Sequence, residues 1–225
     1  MITARQTAIA AGVFFLITHV TSITARFVLF DGTVADPTSA APAMILIGAL
    51  LDAVLAIAVV GTAVAVYPVV RRASEGFALG YVALRTLEAS VILTGVVMML
   101  GVVSVNDSSL GGALVALYDL TFIVGPGLVC GVNTVVLGAV LYRSRVVPRF
   151  IPVLGLIGGP LVIAINVAKL FAGGDLPSWL GVTVVPIFAW ELCLAFYLIV
   201  RGFRPQALAR LGLVEGPAQR RLVTA

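Results

Sequence analysis

The stretch Gly80–Leu93, GYVALRTLEASVIL, sets Arg85 and Glu88 three residues apart inside a run that is otherwise apolar for about seven helical turns. A run of that length and character is read as a helix crossing a membrane, and two full charges inside it require an explanation. The rest of the chain has the same composition. Of its 225 residues 61% are hydrophobic and 11% charged, and the mean hydropathy is +1.16, well above what a domain with a solvated surface sustains.

Six long apolar runs follow from this reading, at about 8–30, 42–67, 76–103, 111–142, 150–173 and 178–200, each bounded by polar, basic or Gly/Pro residues. Strands of a membrane barrel would be about 10 residues long and would alternate in polarity, which LLDAVLAIAVVGTAVAVY (51–67 with its neighbour Leu50) does not. The expected fold is therefore all-α, an integral membrane bundle of six transmembrane helices. It forms one domain over residues 1–200, followed by a basic tail at 201–225.

Basic residues near span ends stay on the cytoplasmic side. Arg5, Arg71, Arg72, Arg143, Arg145, Arg149, Arg201, Arg204, Arg210, Arg220 and Arg221 all fall on one side of the deduced topology, whereas the opposite loops hold Asp31, Asp36, Asp107 and Asp175 without Lys or Arg. Both termini are expected in the cytoplasm, with the chain in the plasma membrane. The first run resembles a signal peptide in having Arg5 ahead of an apolar core. It continues to Phe30, past any cleavage position near Ser22, and is read as a retained span.

The net charge of +4 has its source in this topology, and no basic run with interleaved aromatics points to nucleic acid. Cys130 and Cys193 are too few for a disulfide framework or a Cys-rich metal site, and His19 is the only histidine. No H-E-x-x-H, G-x-S-x-G or G-x-x-x-x-G-K-[ST] motif occurs, so no metal, cofactor or nucleotide is expected. The lipid bilayer is the one partner implied, with a small-molecule ligand as a second. Oligomeric state is left open.

Three basic residues, Arg26, Arg85 and Lys169, and four acids, Asp52, Glu88, Asp119 and Glu191, lie within spans, with His19, Asn133 and Asn166 near them in depth. A charge at a helix centre costs about 2.5–3.5 kcal/mol on an insertion scale, so these groups should pair, neutralise or face water inside the bundle. Counting along the spans places the whole set in one slab from the midplane to the outer leaflet, which suggests a cavity on the outer side. Tyr81, Arg85 and Glu88 share a helix stripe by their spacing, as do His19, Ser22 and Arg26, and Asn166 and Lys169. Arg85 and Glu88 are expected to pair and to reach Asp52, Glu191 or His19. Pro126, Pro160 and Pro186 are expected to interrupt spans four, five and six beside these groups, and three G-x-x-x-G pairs, Gly76/Gly80, Gly127/Gly131 and Gly155/Gly159, read as tight helix packing.

GYVALRTLEAS, LYRSRVVPRFIPVLGLIGGP and WELCLAFYLIVRGFRP together resemble the bacterial domain-of-unknown-function family 4386, polytopic membrane proteins with this helix count. The resemblance marks Arg85, Glu88, Arg143, Arg145, Pro148 and Glu191 as matching the family pattern and implies no activity. From the residues themselves the leading expectation is binding or proton-coupled transport of a small solute, with Glu88 and Glu191 titrating and Arg85 holding an anion or pairing an acid. The alternatives are an intramembrane enzyme with a protonated carboxyl as general acid on a lipid-like or isoprenoid substrate, and a structural component whose charges only specify the bundle.

Overall fold

The computed structural model describes residues 3–30, 41–105, 107–172 and 177–213. Among them there are helices and no strands, and six helices are long and apolar enough to cross a membrane. They are α1 (Ala4–Leu29), α2 (Pro42–Ala73), α3 (Glu75–Ser104), α4 (Ser108–Ser144), α5 (Phe150–Ala172) and α6 (Trp179–Val200), with a short α7 (Pro205–Arg210) after them. The expected spans lie within these helices to within a few residues at most ends. Asp31, Asp36, Asp175, Arg220 and Arg221 lie outside the described residues.

Each helix packs on its neighbour in the chain, and α6 returns to pack on α1, which closes the bundle. The polarity of the bundle is the reverse of a water-soluble protein. Ile57, Phe27, Trp179 and Phe171 point outward with 70%, 69%, 69% and 89% of their surface exposed, while Asp52, Arg85, Glu88 and Asn133 are buried. Such a surface suits hydrocarbon, where the helices' own hydrogen bonds satisfy the backbone.

Helix starts and stops follow local chemistry. Thr3 and Gln6 form a reciprocal capping box at α1. Asp107 caps α4 by accepting from Ser109 and Leu110, and the Ser109 hydroxyl, then the two amides, hold its carboxyl below the usual range. At the other end α4 stops at Arg145, whose φ of 57° is left-handed. Two helices are not uniform. α1 changes to π-helix over Ala25–Leu29 and α4 over Ile123–Val129, the second around Pro126. α6 begins with 3₁₀ turns, Ser178–Val184, and becomes α-helical at Val185, with Pro186 in its first turn. The expected break at Pro160 is absent: α5 runs as α-helix through it, because a single missing N–H leaves the rest of the ladder intact and the helix is packed on both neighbours.

Of the three expected glycine pairs, two make close contacts. A Cβ on Gly159 would lie 2.7 Å from the Gly131 carbonyl oxygen, so α4 and α5 meet backbone to backbone. Gly155 accommodates the ring of Trp190, which explains an aromatic buried in mid-span. Gly76 and Gly80 face open space and are not a contact. The start of the tail is packed: Arg204 N–H donates to the Val146 carbonyl at 2.8 Å, and Ala207 and Leu208 are buried. Arg5 donates to the carbonyls of Leu198 and Ile199, so the beginning of α1 and the end of α6 lie at the same end of the bundle.

Gly159→Ala is expected to lower stability by about 1–3 kcal/mol through forced separation of α4 and α5. Gly80→Ala should be neutral or stabilising by up to about 1 kcal/mol. Thermal unfolding of both variants in the same lipid or detergent checks the contrast.

Candidate functional site

α3 brings Tyr81, Arg85 and Glu88 onto one buried face, as their spacing requires. Arg85 is 3% exposed, and its guanidinium lies between the rings of Phe15 and Tyr81, with centroids 5.6 and 5.5 Å away. Its edge is filled with acceptors. Nε donates to the Tyr81 hydroxyl at 3.0 Å, Nη1 to Glu88 Oε2 at 3.1 Å, and Nη2 to Glu191 Oε1 on α6 at 3.3 Å. Asn133 on α4 also donates to Glu88. A buried cation is thus met by carboxyl groups from two helices, the kind of pairing that a buried charge requires.

The network continues to α1. His19 Nε2 lies 3.6 Å from Glu191 Oε2, and Nδ1 lies 3.0 Å from the Phe15 carbonyl oxygen. A carbonyl only accepts, so Nδ1 carries a hydrogen and Nε2 is the nitrogen presented to Glu191. Phe188 packs edge-on against the imidazole at 4.5 Å and fixes the ring from the other side.

A cavity of about 380 Å³ opens against this network. His19, Arg85, Glu88 and Glu191 form its polar floor, Asn166 and Lys169 a polar side, and Ile23, Phe27 and Phe188 an apolar wall. Its lining includes the ends of α1 and α5 and the start of α6. These lie at the opposite end of the bundle from the arginine-rich loops. The α4 wall is the π-helical stretch itself, where Pro126 and Gly127 line the space and Asn166 packs against Gly127. A widened helical turn beside a polar cavity is a recurrent device at functional sites.

The polar set does not line a single cavity. Asp52, Asp119 and Arg26 form a second group that does not line this cavity. Tyr118 donates to Asp52 at 2.9 Å, and Arg26 pairs with Asp119 at 2.6 Å while its guanidinium lies over the rings of Tyr118 and Phe122. Arg85 therefore does not reach Asp52. His19 and Ser22 line the cavity without Arg26, which sits where α1 changes to π-helix and is drawn to Asp119. Tyr81 lies behind Arg85, outside the lining. Asn133, noted only for its depth, binds Glu88, and Phe188 is a member of the site that the sequence reading missed. Asn133 carried a signal, a polar side chain in an apolar span, whereas nothing in the pattern distinguishes Phe188 from any lipid-facing aromatic. No group of three or more His, Cys, Asp or Glu side chains among the described residues is placed to hold a metal ion.

The family described as domain of unknown function DUF4386 matches residues 10–202. The chain belongs to that family. No curated protein and no solved structure matches it. The DUF4386 match covers all six apolar helices in whole or in large part, and both charged groups described above, so the network belongs to the family's domain and not to an appended segment.

Arg85→Gln is expected to destabilise the bundle by about 3–5 kcal/mol, because Glu88 and Glu191 are then left without their cation. Adding Glu88→Gln should recover part of that loss, and the double-mutant cycle, read by thermal unfolding in nanodiscs, gives the coupling.

Proposed function

We propose that this DUF4386 protein binds a small solute with an apolar body in the cavity and couples its movement to a proton held between His19 and Glu191. The observation that carries the reading is the orientation of the imidazole. With Nδ1 committed to the Phe15 carbonyl, Nε2 faces a carboxylate oxygen 3.6 Å away. A neutral imidazole nitrogen and an ionised carboxylate both only accept, so the pair is accommodated when one proton resides on either partner. The apolar wall favours the body of an amphiphile, and the polar floor favours its head. Arg85 is held by Tyr81 and Glu88 as well as by Glu191, which makes it a fixed counter-charge that lets Glu191 exchange a proton without leaving a bare cation.

The orientation we propose has both termini in the cytoplasm, supported by the arginines gathered at one end, and places the cavity on the outer side. A reporter fused to the C-terminus, active only in the cytoplasm, tests this.

Proteoliposomes containing a pH-sensitive dye test the coupling, with a panel of aryl and alkyl carboxylates and amines added outside. The expected result is solute-dependent proton entry that falls about tenfold or more in His19→Gln and in Glu191→Gln, while Asp119→Asn retains it. Proton entry that is unaffected by both substitutions would sink the proposal. Product formation from added isoprenoid lipids, without flux, would reassign the cavity to acid catalysis.

A further inference from the structure

The arginine-rich end of the bundle carries a second cavity, of about 330 Å³, far from the charged network. It lies where the end of α2, the start of α3 and the last turns of α4 meet the segment after α7. Phe77, Val140 and Leu211 form an apolar side, and Ser74, Arg143 and Ser144 a polar one.

Three features of the polar side point to an anion. The Ser144 hydroxyl oxygen is buried and, among the described residues, has no hydrogen-bond partner. Ser74 occupies the N-cap of α3 yet its side chain makes no capping bond, and among the described residues its hydroxyl has no partner beside the first amides of the helix. Arg143 is exposed and, among the described residues, makes no ion pair. At this end Arg5 is engaged on the carbonyls that end α6, Arg71 over Tyr67 and Arg149 over Tyr142, and it is Arg143 that lines the cavity. Among the described residues, the acid nearest in the chain to this polar side is Glu75, exposed in the first turn of α3. It disfavours a doubly charged phosphomonoester more than a singly charged phosphodiester.

The apolar side identifies the rest of the ligand. Phe77 is 42% exposed, and Gly76 and Gly80 leave open space along the same helix. A hydrocarbon chain can lie there, running from the head group into the bilayer. We infer that this groove binds an anionic phospholipid, its phosphodiester held by Arg143, Ser74 and Ser144 and one acyl chain lying along Phe77 and Val140. Basic pockets between helix ends are where such head groups are held, and a guanidinium matches the phosphodiester with paired donors.

Thermal unfolding of the detergent-purified full chain, titrated with phosphatidylglycerol, phosphatidylcholine or inorganic phosphate, tests this. Phosphatidylglycerol is expected to raise Tm by about 5 °C, and the other two by less than about 1 °C. Arg143→Gln should abolish the shift, while Arg201→Gln, which removes a charge at the same end but outside the groove, should keep it. Ala139→Leu, which fills the groove without changing charge, should abolish the shift as well and serves if Arg143→Gln does not fold. An equal response to phosphatidylcholine, a response to phosphate alone, or a shift that persists in Ala139→Leu overturns the assignment.

Discussion

A guanidinium removed from water must be surrounded by acceptors, and Arg85 meets that requirement with groups drawn from two helices. Tyr81 and Glu88 come from its own helix and Glu191 from α6, while Phe15 of α1 covers one face and Asn133 of α4 holds Glu88 in place. Withdrawing α3 or α6 would take from Glu191 or from Arg85 a charged partner, and withdrawing α4 would remove the amide that binds Glu88. In a bilayer, apolar contact between helices provides little preference for one arrangement over another, since lipid chains are equally apolar. The ion network joins the inward faces of α1, α3, α4 and α6, and the glycine contacts let α4 and α5 approach closely.

The cavity exists because that network is anchored at one side only. Its floor is fixed by ion pairs, whereas its walls come from the segments least regular in the bundle: the π-helix of α4, the end of α1 and the 3₁₀ entry to α6. The opposite end is held by direct bonds, from Arg5 to the end of α6 and from Arg204 to the loop before α5. A rigid base and a less regular mouth are compatible with a site that exchanges its occupant from one side.

Much of the architecture was legible in the residues because membrane helices have a strong signature: length, apolarity and the placement of arginine. The Tyr81, Arg85 and Glu88 stripe was legible for the same reason, since spacing alone fixes a shared face within a regular helix. Partnering between helices was less so. Depth counting placed Asp52 with Glu88, yet a similar depth says nothing about which way a face turns, and Asp52 turns to Tyr118. The trio His19, Ser22 and Arg26 failed at Arg26, where the helix stops being regular. Pro160 and the Gly76/Gly80 pair show the converse: a residue type that permits a break or a close contact does not impose one when no neighbour exploits it.

The π-helical stretch of α4 also carries a constraint on chain length. Its i→i+5 bonding, seen where Cys130 N–H donates to the Gly125 carbonyl, accommodates one residue more than an α-helix would over the same rise. Tyr118 and Asp119 lie before that extra residue and Gly131 and Asn133 after it. Were that extra residue taken up by regular α-helix instead, one half of α4 would be rotated against the other by about 100°. With Gly131 and Asn133 held against α5 and Glu88, Tyr118 and Asp119 would turn away from Asp52 and Arg26. The two charged groups are thus kept in phase by the π-helical turn that absorbs the extra residue, and the hydrogen-bond pattern between them matters as much as their identities.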